Sequence, residues 1–332
     1  MILVTGASGL LGSRLVFELL RMGHTVRAMG RSAQTPDALR RYHFKGKEHL
    51  LENLEWFQGD IANRHSVLDA LEGVIHVYHC AGLVSFIPID RQLLRDINVR
   101  GTANIVDGCL VKRIGKLCHV SSVAALGRSL HGKYDEESIW NPDDLHSQYA
   151  ISKYDAECEV WRGVAEGLNA VIVNPGIIIG PGNWKTDSSA LFSKVYEGLR
   201  FYTDGVNGFV AVDDVVRAMI RLVDQENFGQ RFVLVGDNMP YKDVMDLIAD
   251  GLRVKRPSIR AGRFLSGLAW RMESASSMLT GKRPLITRET AQSAQSVSYY
   301  SNKKILSVFP DLITDPRDAI RETASKFLNQ DT

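Results

Sequence analysis

The chain has 332 residues, of which 45% are hydrophobic and 23% charged, and its formal net charge is +2. A chain of this length can bury a large core in one or two domains, and the composition is that of an ordinary globular protein. The near balance of charge, without a basic run interleaved with aromatic residues, argues against a nucleic-acid-binding protein.

The cysteine spacing and the first residues of the chain indicate the cellular compartment in which the protein is expected. Four cysteines are too widely spaced to indicate a zinc site or a disulfide framework, so no metal is expected. The apolar residues Met1 to Val4 predict a buried strand, which leaves no room for a signal peptide. No apolar run reaches the roughly 18 residues of a membrane span. We expect a cytoplasmic protein that acts on a small-molecule substrate, without a membrane or nucleic-acid partner.

The first strand, Met1 to Thr5, leads directly into a glycine-rich turn and a helix from Leu10 to Met22. This order is the context that a dinucleotide-binding loop requires. The first glycine permits a tight turn, the second lets the backbone approach a pyrophosphate, and the third lets helix and strand pack closely. Free N–H groups at the helix start favour phosphates. The residues assigned to the cofactor here are Gly6, Ser8, Gly9, Leu10, Leu11 and Gly12.

The second predicted strand, His24 to Met29, ends in Gly30-Arg31-Ser32. An NAD site usually has an acidic residue here, about 20 residues after the glycines, to hold the ribose 2′-hydroxyl. This chain has none, whereas an arginine suits the 2′-phosphate of NADP. Its charge-assisted hydrogen bonds are worth about 1.5–3 kcal/mol, or roughly 10- to 150-fold in preference. We expect NADP, with NAD as the other candidate, unless Arg31 is only a solvated surface residue. Residues that could add a second contact are Arg40, Arg41 and Lys45.

The third and fourth predicted strands are Leu54 to Gln58 and Val74 to Cys80. The turn after the third offers a carboxylate to the adenine amino group, and the turn after the fourth offers small residues against which a cofactor can lie. The residues assigned to the cofactor in these turns are Asp60, Ile61, Ala81 and Gly82.

Three further polar residues have both a structural and a functional interpretation. His76 and His79 are spaced like a metal pair, but an i, i+3 spacing places them on opposite faces of a strand. We interpret them as structural. Asn98, in the next helical segment, either hydrogen-bonds main chain or water near the cofactor or is a surface asparagine.

The fifth predicted strand, Lys116 to Ser122, ends in two serines, and the sixth is Ala170 to Val173. A hydroxyl at the carboxyl end of a sheet strand faces the crevice where doubly wound folds bind ligands. Because successive strand side chains alternate, only one of Ser121 and Ser122 is expected to face a substrate carbonyl. After the sixth strand, Pro175 and Gly176 are assigned to the cofactor.

Tyr149 and Lys153 lie in an apolar-periodic run, Leu145 to Leu168, that predicts one long helix. The candidates for its N-cap are Asn141, Asp143 and Asp144. Residues i and i+4 share a helical face, so the phenol and the ammonium project the same way. A nearby lysine lowers the pKa of a phenol from about 10, and a drop of roughly three units needs ~4 kcal/mol, which requires a partly dry site. Chance spacing of the two residues is the alternative.

Together these residues resemble the extended short-chain dehydrogenase/reductase family, including its epimerase/dehydratase-like and dihydroflavonol-reductase-like members. The matching marks cover most of the chain: the glycine loop, Gly59-Asp60, the serine before Gly127, the Tyr149/Lys153 pair, Asn174-Pro175-Gly176 and Val212-Asp213-Asp214. The resemblance implies an α/β protein, with a Rossmann-type doubly wound parallel sheet and a smaller C-terminal α/β substrate domain. The expected division is 1–173 plus about 209–225 for the dinucleotide, and 174–208 plus 226–332 for the substrate.

The resemblance also implies hydride transfer at nicotinamide C4. Counted back from Gly127, the family's catalytic serine falls on Ser122, which would orient and polarise the carbonyl or alcohol. Tyr149 would be the general acid-base, and Lys153 would hold the nicotinamide ribose and lower the pKa of the tyrosine. Family members commonly dimerise through the helices that carry the equivalents of Asn98 and Tyr149, so a homodimer is expected.

Two departures from the family narrow the reaction. Val123-Ala124-Ala125 lacks the acidic residue of sugar-nucleotide dehydratases, and Gly205-Val206-Asn207-Gly208 lacks the arginine with which sugar-nucleotide epimerases hold a pyrophosphate. We therefore expect an NADP-preferring oxidoreductase for a ketone or aldehyde. The alternatives are a nucleotide-sugar epimerase with retained NAD and a non-catalytic nucleotide-sensing regulator. The expected substrate pocket comprises Ser85, Phe86, Ile178, Trp184, Phe201 and Tyr202.

Overall fold

The computed structural model describes residues 1–33, 43–127, 129, 132–262 and 287–329. The strands among them are β1 (Ile2–Thr5), β2 (Val26–Gly30), β3 (Leu54–Gln58), β4 (His76–His79), β5 (Lys116–Val120), β6 (Ala170–Pro175), β7 (Ile177–Ile179), β8 (Phe201–Tyr202), β9 (Val206–Ala211), β10 (Gln230–Leu234), β11 (Asp237–Pro240) and β12 (Ile259–Arg260). Within this part of the chain, seven parallel strands form the main sheet, in the order β10-β6-β5-β4-β1-β2-β3. The strand order reverses between β1 and β4, which is where doubly wound folds bind dinucleotides.

The helices that the structure describes are α1 (Leu10–Arg21), α2 (Arg64–Ala70), α3 (Arg91–Leu94), α4 (Gly101–Lys112), α5 (Gln148–Ala165), α6 (Ala190–Tyr196), α7 (Val212–Asp224), α8 (Tyr241–Gly251), α9 (Arg288–Ser293), α10 (Lys303–Val308) and α11 (Pro316–Leu328). A π-helical turn, Arg95–Arg100, joins α3 to α4. None of the described helices is long and apolar enough to cross a membrane.

Both faces of the main sheet are covered by helices, and the sequence of β1 shows why. Ile2 and Val4 are buried with side chains of α1 and α7 in one core, whereas Leu3 is buried with side chains of α2, α4 and α5 in another. A strand covered on both sides needs a continuous apolar run rather than alternation. The predicted Rossmann-type doubly wound parallel sheet is confirmed.

A smaller region follows the main sheet. β7, β9 and β11 form a three-stranded sheet, and β8 pairs with β12. A separate core lies under this region, where Phe209 of β9 packs with side chains of α6, α8 and α11. β10 lies in the stretch 226–332 that was assigned to the substrate, yet it joins the main sheet because it pairs in parallel with β6.

Candidate active site

The glycine loop between β1 and α1 is shaped by two of its three glycines. Gly6 has a φ of +66°, a conformation that other residues rarely adopt. A Cβ on Gly12 would lie 2.2 Å from the carbonyl oxygen of Gly6, so α1 can approach β1 only with glycine here. A Cβ on Gly9 would meet nothing closer than 3.4 Å. The fold thus requires Gly6 and Gly12, while Gly9 leaves its backbone open to an approaching group.

The N-terminus of α1 has no capping side chain of its own, since its N-cap is Gly9 and its first turn lacks acidic residues. Leu10 and Leu11 bury their side chains in the core, so only their N–H groups are available at the loop. The carboxylate of Asp187, from the segment between β7 and α6, lies near the N–H of Leu10, which opposes the larger effect by which burial raises the pKa of this carboxyl. A helix N-terminus favours an anion. Asp187 was not predicted, because no spacing rule connects it to the glycine loop.

The end of β2 differs from that of a typical NAD site in two ways. A Cβ on Gly30 would lie 2.6 Å from the indole ring of Trp56, which leaves no room for a side chain. The indole N–H donates to the carbonyl oxygen of Ser32 at 3.0 Å, which fixes the ring in place. Arg31 is exposed, and within the part of the chain that the structure describes its guanidinium has no ion pair. Arg40 and Arg41 lie outside the described residues.

Asp60 and Ile61 have structural contacts of their own. The carboxylate of Asp60 accepts from the N–H of Ala62 at 2.9 Å and so closes a turn after β3. The side chain of Ile61 is buried, and a Cβ on Gly101 would lie 2.6 Å from its Cδ1. Ile61 therefore packs against the start of α4.

Asn98 lies in the π-helical turn and is only 1% exposed, so the surface interpretation is wrong. Its Oδ1 accepts from the N–H of Leu83 at 2.7 Å, and its Nδ2 donates to the carbonyl oxygen of Leu83 at 3.0 Å and to Ser152 Oγ at 2.9 Å. Asn98 thereby fixes the segment after β4 that contains Ala81 and Gly82. Short π-helical turns are frequent at functional sites.

The predicted structural role of His79 agrees with its contacts. Its Nδ1 lies 2.8 Å from Thr5 Oγ1, and its Nε2 lies 3.0 Å from Thr102 Oγ1. The Thr102 hydroxyl donates to the carbonyl oxygen of Asn98 at 2.6 Å, and the Thr5 hydroxyl accepts from the N–H of Ala81 at 3.2 Å. A buried imidazole thus joins β1, β4 and the start of α4 beneath the cofactor loop.

The helix that carries Tyr149 begins later than predicted, at Gln148. Its N-cap is Ser147, whose hydroxyl oxygen accepts from the N–H of Ala150 at 3.0 Å. The predicted caps were wrong because Asn141 accepts from the N–H of Asp143 at 3.1 Å and closes a turn of its own, six residues before the N-cap.

Tyr149 lies in the first turn of α5, and its side chain meets two other elements. Its phenol lies beside the side chain of Ser122, two residues after β5. The ring of Phe86 packs edge-on against it, with 5.6 Å between ring centroids. Of the two serines after β5, the structure therefore brings Ser122 to the phenol.

Lys153 lies one turn after Tyr149 and is 4% exposed. Its Nζ donates to the carbonyl oxygen of Val120 at 2.8 Å. A Cβ on Gly82 would lie 3.4 Å from Asn98 Oδ1 and 3.7 Å from Lys153 Nζ, so the glycine opens access to both polar groups. Ser122, Tyr149, Lys153 and Gly82 thus meet beyond the carboxyl ends of β4 and β5.

The pKa of Tyr149 is shifted upward in this structure, whereas the sequence predicted a downward shift. Burial raises the pKa of Tyr149, and the neighbouring Ser122 alone opposes this rise. Burial lowers the pKa of Lys153 to about 8, and the negative charge of Glu157 is the main effect that opposes this fall. The predicted lowering of the Tyr149 pKa by Lys153 is wrong for this structure, because Nζ is directed to the backbone of β5 and desolvation of the phenol dominates.

The other predicted residues are only partly brought together. Gly176 is required by packing, since its Cβ would lie 2.4 Å from the carbonyl oxygen of Gly208, and Pro175 ends β6 beside β10. Of the expected substrate pocket, Phe86 reaches Tyr149. The hydroxyl of Ser85 instead donates to Asp90 at 2.7 Å.

The remaining residues of the expected pocket make their described contacts away from Tyr149. The ring of Trp184 is half-buried and packs on Phe327, with 4.9 Å between centroids, against the outside of the core under α6 and α11. Phe201 and Tyr202 form the short strand β8, where Lys242 lies 5.0 Å from the ring of Tyr202. Ile178, in β7, packs against the first core.

Comparison with known proteins gives a consistent result. The model of the NAD dependent epimerase/dehydratase family matches residues 2–236. Sterol demethylase protein B of Methylococcus capsulatus is 30% identical over 270 residues, which cover 80% of this chain and 79% of that protein. A putative dihydroflavonol 4-reductase of Synechocystis sp. is 27% identical over 312 residues, which cover 91% and 87%. The crystal structure of gox2253 aligns with a TM-score of 0.81 at 26% identity, over 99% of this chain and 98% of that one.

Proposed function

The chain belongs to the NAD dependent epimerase/dehydratase family, and we propose that it is an oxidoreductase that transfers hydride between nicotinamide C4 and a carbonyl or alcohol. The observation that supports this most is the meeting of Ser122, Tyr149 and Lys153 beside Gly82. These are the groups that a carbonyl reduction needs: a proton donor, a second hydroxyl for the substrate oxygen and a cation nearby.

The residues present fit a dinucleotide cofactor. Gly9 leaves the backbone of the first loop open, the N-terminus of α1 favours a phosphate, and Gly82 opens access to Lys153 and Asn98. Gly9, with the N–H groups of α1, would hold the pyrophosphate, and Lys153 would hold the nicotinamide ribose. When bound, the nicotinamide supplies the hydride at C4.

In the proposed reduction, Tyr149 donates its proton to the substrate oxygen as that oxygen gains negative charge. Because burial raises the pKa of Tyr149, the phenol is protonated at neutral pH, as a proton donor must be. Ser122, whose side chain lies beside the phenol, orients the same oxygen. The ammonium of Lys153, with a pKa of about 8, stabilises the tyrosinate that remains. In the oxidation direction the same groups act in reverse.

We propose NADP as the preferred cofactor. The support is the exposed Arg31 at the end of β2, together with Gly30, where the indole of Trp56 leaves no room for an acidic side chain. An arginine binds a 2′-phosphate with charge-assisted hydrogen bonds, whereas a ribose hydroxyl gains little from it.

We further propose a neutral, largely apolar carbonyl compound as substrate. Phe86 forms an aromatic wall against Tyr149, and residues 205–208, directly before Phe209, contain no arginine to hold a pyrophosphate. Asn207, the polar side chain of that segment, is engaged internally, since its amide donates to the hydroxyl of Tyr241 at 3.0 Å. The Synechocystis relative carries the name of a reductase, which favours the same reaction class.

A homodimer that forms through α4 and α5 in a reducing cytoplasm completes the proposal. The four cysteines are unpaired, as they are in proteins of reducing compartments. Sedimentation equilibrium checks the assembly: a species of one chain at all concentrations contradicts the dimer.

The function is tested by following oxidation of NADPH and NADH with a panel of aromatic and polycyclic ketones and aldehydes. Replacement of Tyr149 by Phe should lower turnover by about 10²- to 10⁴-fold, while cofactor affinity stays within a few-fold. The matched control is Tyr154→Phe on the same helix, where the ring stacks on Trp140 and should leave turnover unchanged.

The rival functions give different results. An epimerase would consume no NADPH with any carbonyl and would be purified with tightly held NAD. A sensor would bind the dinucleotide without turnover and would be indifferent to Tyr149→Phe.

A further inference from the structure

A buried carboxylate lies one helical turn beyond Lys153, on the same face of α5. Glu157 is 1% exposed. Its Oε1 accepts from Asn174 Nδ2, and its Oε2 accepts from Arg231 Nη1 at 3.3 Å. Asn174 belongs to β6 and Arg231 to β10, so three elements of the fold meet at this one carboxylate. No step of the proposed reaction uses it.

The amide of Asn174 connects Glu157 with the serine of the site. Asn174 is fully buried, and its Nδ2 also donates to the carbonyl oxygen of Ser122 at 3.0 Å. A single amide group therefore joins the carboxylate to the backbone of the residue whose side chain meets Tyr149.

Arg231 supplies the opposite charge and a second anchor. Its Nε donates to the carbonyl oxygen of Glu136 at 3.0 Å, and its Nη2 donates to that of Ser138 at 3.1 Å. These two carbonyls lie in the segment that leads from β5 to α5. Burial raises the pKa of Glu157, and Ser121, Arg231 and Asn174 oppose that rise. The guanidinium therefore favours an ionised carboxylate inside the protein.

We propose that Glu157 is a positioning residue of the active site: it maintains the positive charge of Lys153 and, through Asn174, holds the backbone of Ser122 beside Tyr149. Its part in turnover rests on the proposed function. Its effect on Lys153 is a property of the protein alone.

The surroundings of Lys153 single out Glu157 as its source of negative charge. The titratable groups that face Lys153 are His79 and Cys80 from β4, His119 from β5, and Tyr149 and Glu157 from α5. Burial lowers the pKa of His79 to about 3 and raises that of Cys80 to about 12, so both are neutral near pH 7. Burial likewise lowers the pKa of His119 and raises that of Tyr149. Glu157, whose carboxylate accepts hydrogen bonds from Asn174 and Arg231, is thus the member of this set that can oppose the effect of burial on Lys153.

The direct test is the titration of Lys153 in the full chain without cofactor. Protein labelled with [ε-¹³C]lysine is titrated by NMR, and the Lys153 signal is assigned by its loss from Lys153→Met. Glu157→Gln should lower the pKa of Lys153 by roughly one unit, a tenfold loss of proton affinity, as expected for removal of a charge one turn away. The matched control is Glu159→Gln, whose carboxylate pairs with Arg162 on the surface and should leave the Lys153 titration unchanged. An unchanged titration in Glu157→Gln overturns the proposal.

Loss of the carboxylate alone leaves the guanidinium of Arg231 buried without its anion, which can destabilise the fold. The double variant Glu157→Gln/Arg231→Gln removes both charges together. Arg231 is not among the groups that shift the pKa of Lys153, so the double variant should show the same fall in that pKa as Glu157→Gln. A rise or no change there overturns the proposal.

Turnover supplies the second readout. Since a protonated Lys153 is required, the alkaline limb of the kcat/KM profile of Glu157→Gln should move to lower pH by the same unit. A merely structural role would lower kcat/KM equally at every pH and leave the limb in place, and that result contradicts the assignment. If the wild-type protein turns over no carbonyl, the proposed function fails, whereas the NMR titration still decides the role of Glu157.

Discussion

Replacement of Asn98 by Ala removes three hydrogen bonds from one buried side chain. Two of them hold the N–H and C=O of Leu83, and in the third the Asn98 amide donates to Ser152 Oγ. A hydrogen bond contributes about 1 kcal/mol net, and a buried backbone group left without a partner costs ~1–3 kcal/mol. The main chain of Leu83 regains some water because this residue is only partly buried. We therefore expect a loss of about 3 kcal/mol in the free energy of unfolding.

The matched control for this change is Asn104→Ala. Asn104 lies on α4, and its Nδ2 makes one hydrogen bond, to the carbonyl oxygen of Ile61 at 2.8 Å. Its loss should cost about 1 kcal/mol. Urea denaturation of the two variants, followed by circular dichroism, compares these values directly. If Asn98→Ala loses no more stability than Asn104→Ala, the assignment of Asn98 as the clamp of the segment after β4 is refuted.

Four further substitutions test the glycine loop and its surroundings. Gly12→Ala places a Cβ 2.2 Å from a carbonyl oxygen and should prevent folding. Gly9→Ala, with 3.4 Å of clearance, should keep the melting temperature of the wild type and weaken only dinucleotide binding. Equal melting temperatures for the two variants would contradict this. Asp187→Asn removes a negative charge from the start of α1 and should tighten dinucleotide binding several-fold at pH 7.5 in a fluorescence titration. Burial raises the pKa of Asp187, so as pH falls the wild-type carboxylate becomes protonated and the two proteins should bind the dinucleotide equally well. A larger dissociation constant for Asp187→Asn than for the wild type at pH 7.5 would show that Asp187 does not compete with the dinucleotide. Arg31→Gln should weaken NADPH by roughly 10- to 150-fold and leave NADH unchanged, and parallel loss of both would show that Arg31 does not contact the 2′-phosphate.

Local sequence pattern predicted the strands of the main sheet well. β3 has the predicted bounds, Leu54–Gln58, and β1 and α1 end within a residue of their predicted ends. The reason is clearest for the central strands β1 and β6, which are buried on both faces and are therefore nearly continuous apolar runs that differ from the polar turns around them. The glycine spacing predicted the first loop because steric demands on Gly6 and Gly12 are local.

The polar contacts around the site could not be predicted in the same way, because each depends on elements far apart in the chain. Arg231 is 74 residues from Glu157 in sequence, and Asn174 is 52 residues from Ser122. Burial of Tyr149, which reverses the expected direction of its pKa, likewise arises from the surrounding fold rather than from its own helix. Asp187 reaches the start of α1 only after the segment beyond β7 has packed.

The contact between Trp56 and Gly30 restricts how this protein can change its coenzyme. An acidic residue at the end of β2 is the usual way to select NAD, but any side chain at position 30 collides with the indole at 2.6 Å. A smaller residue at position 56 must therefore come first or at the same time. By itself that change removes the aromatic ring anchored to Ser32 and offers no new partner for a ribose. Each single step thus leads through a poorer protein, so an acidic residue at the end of β2 requires two coordinated substitutions, in evolution as in engineering.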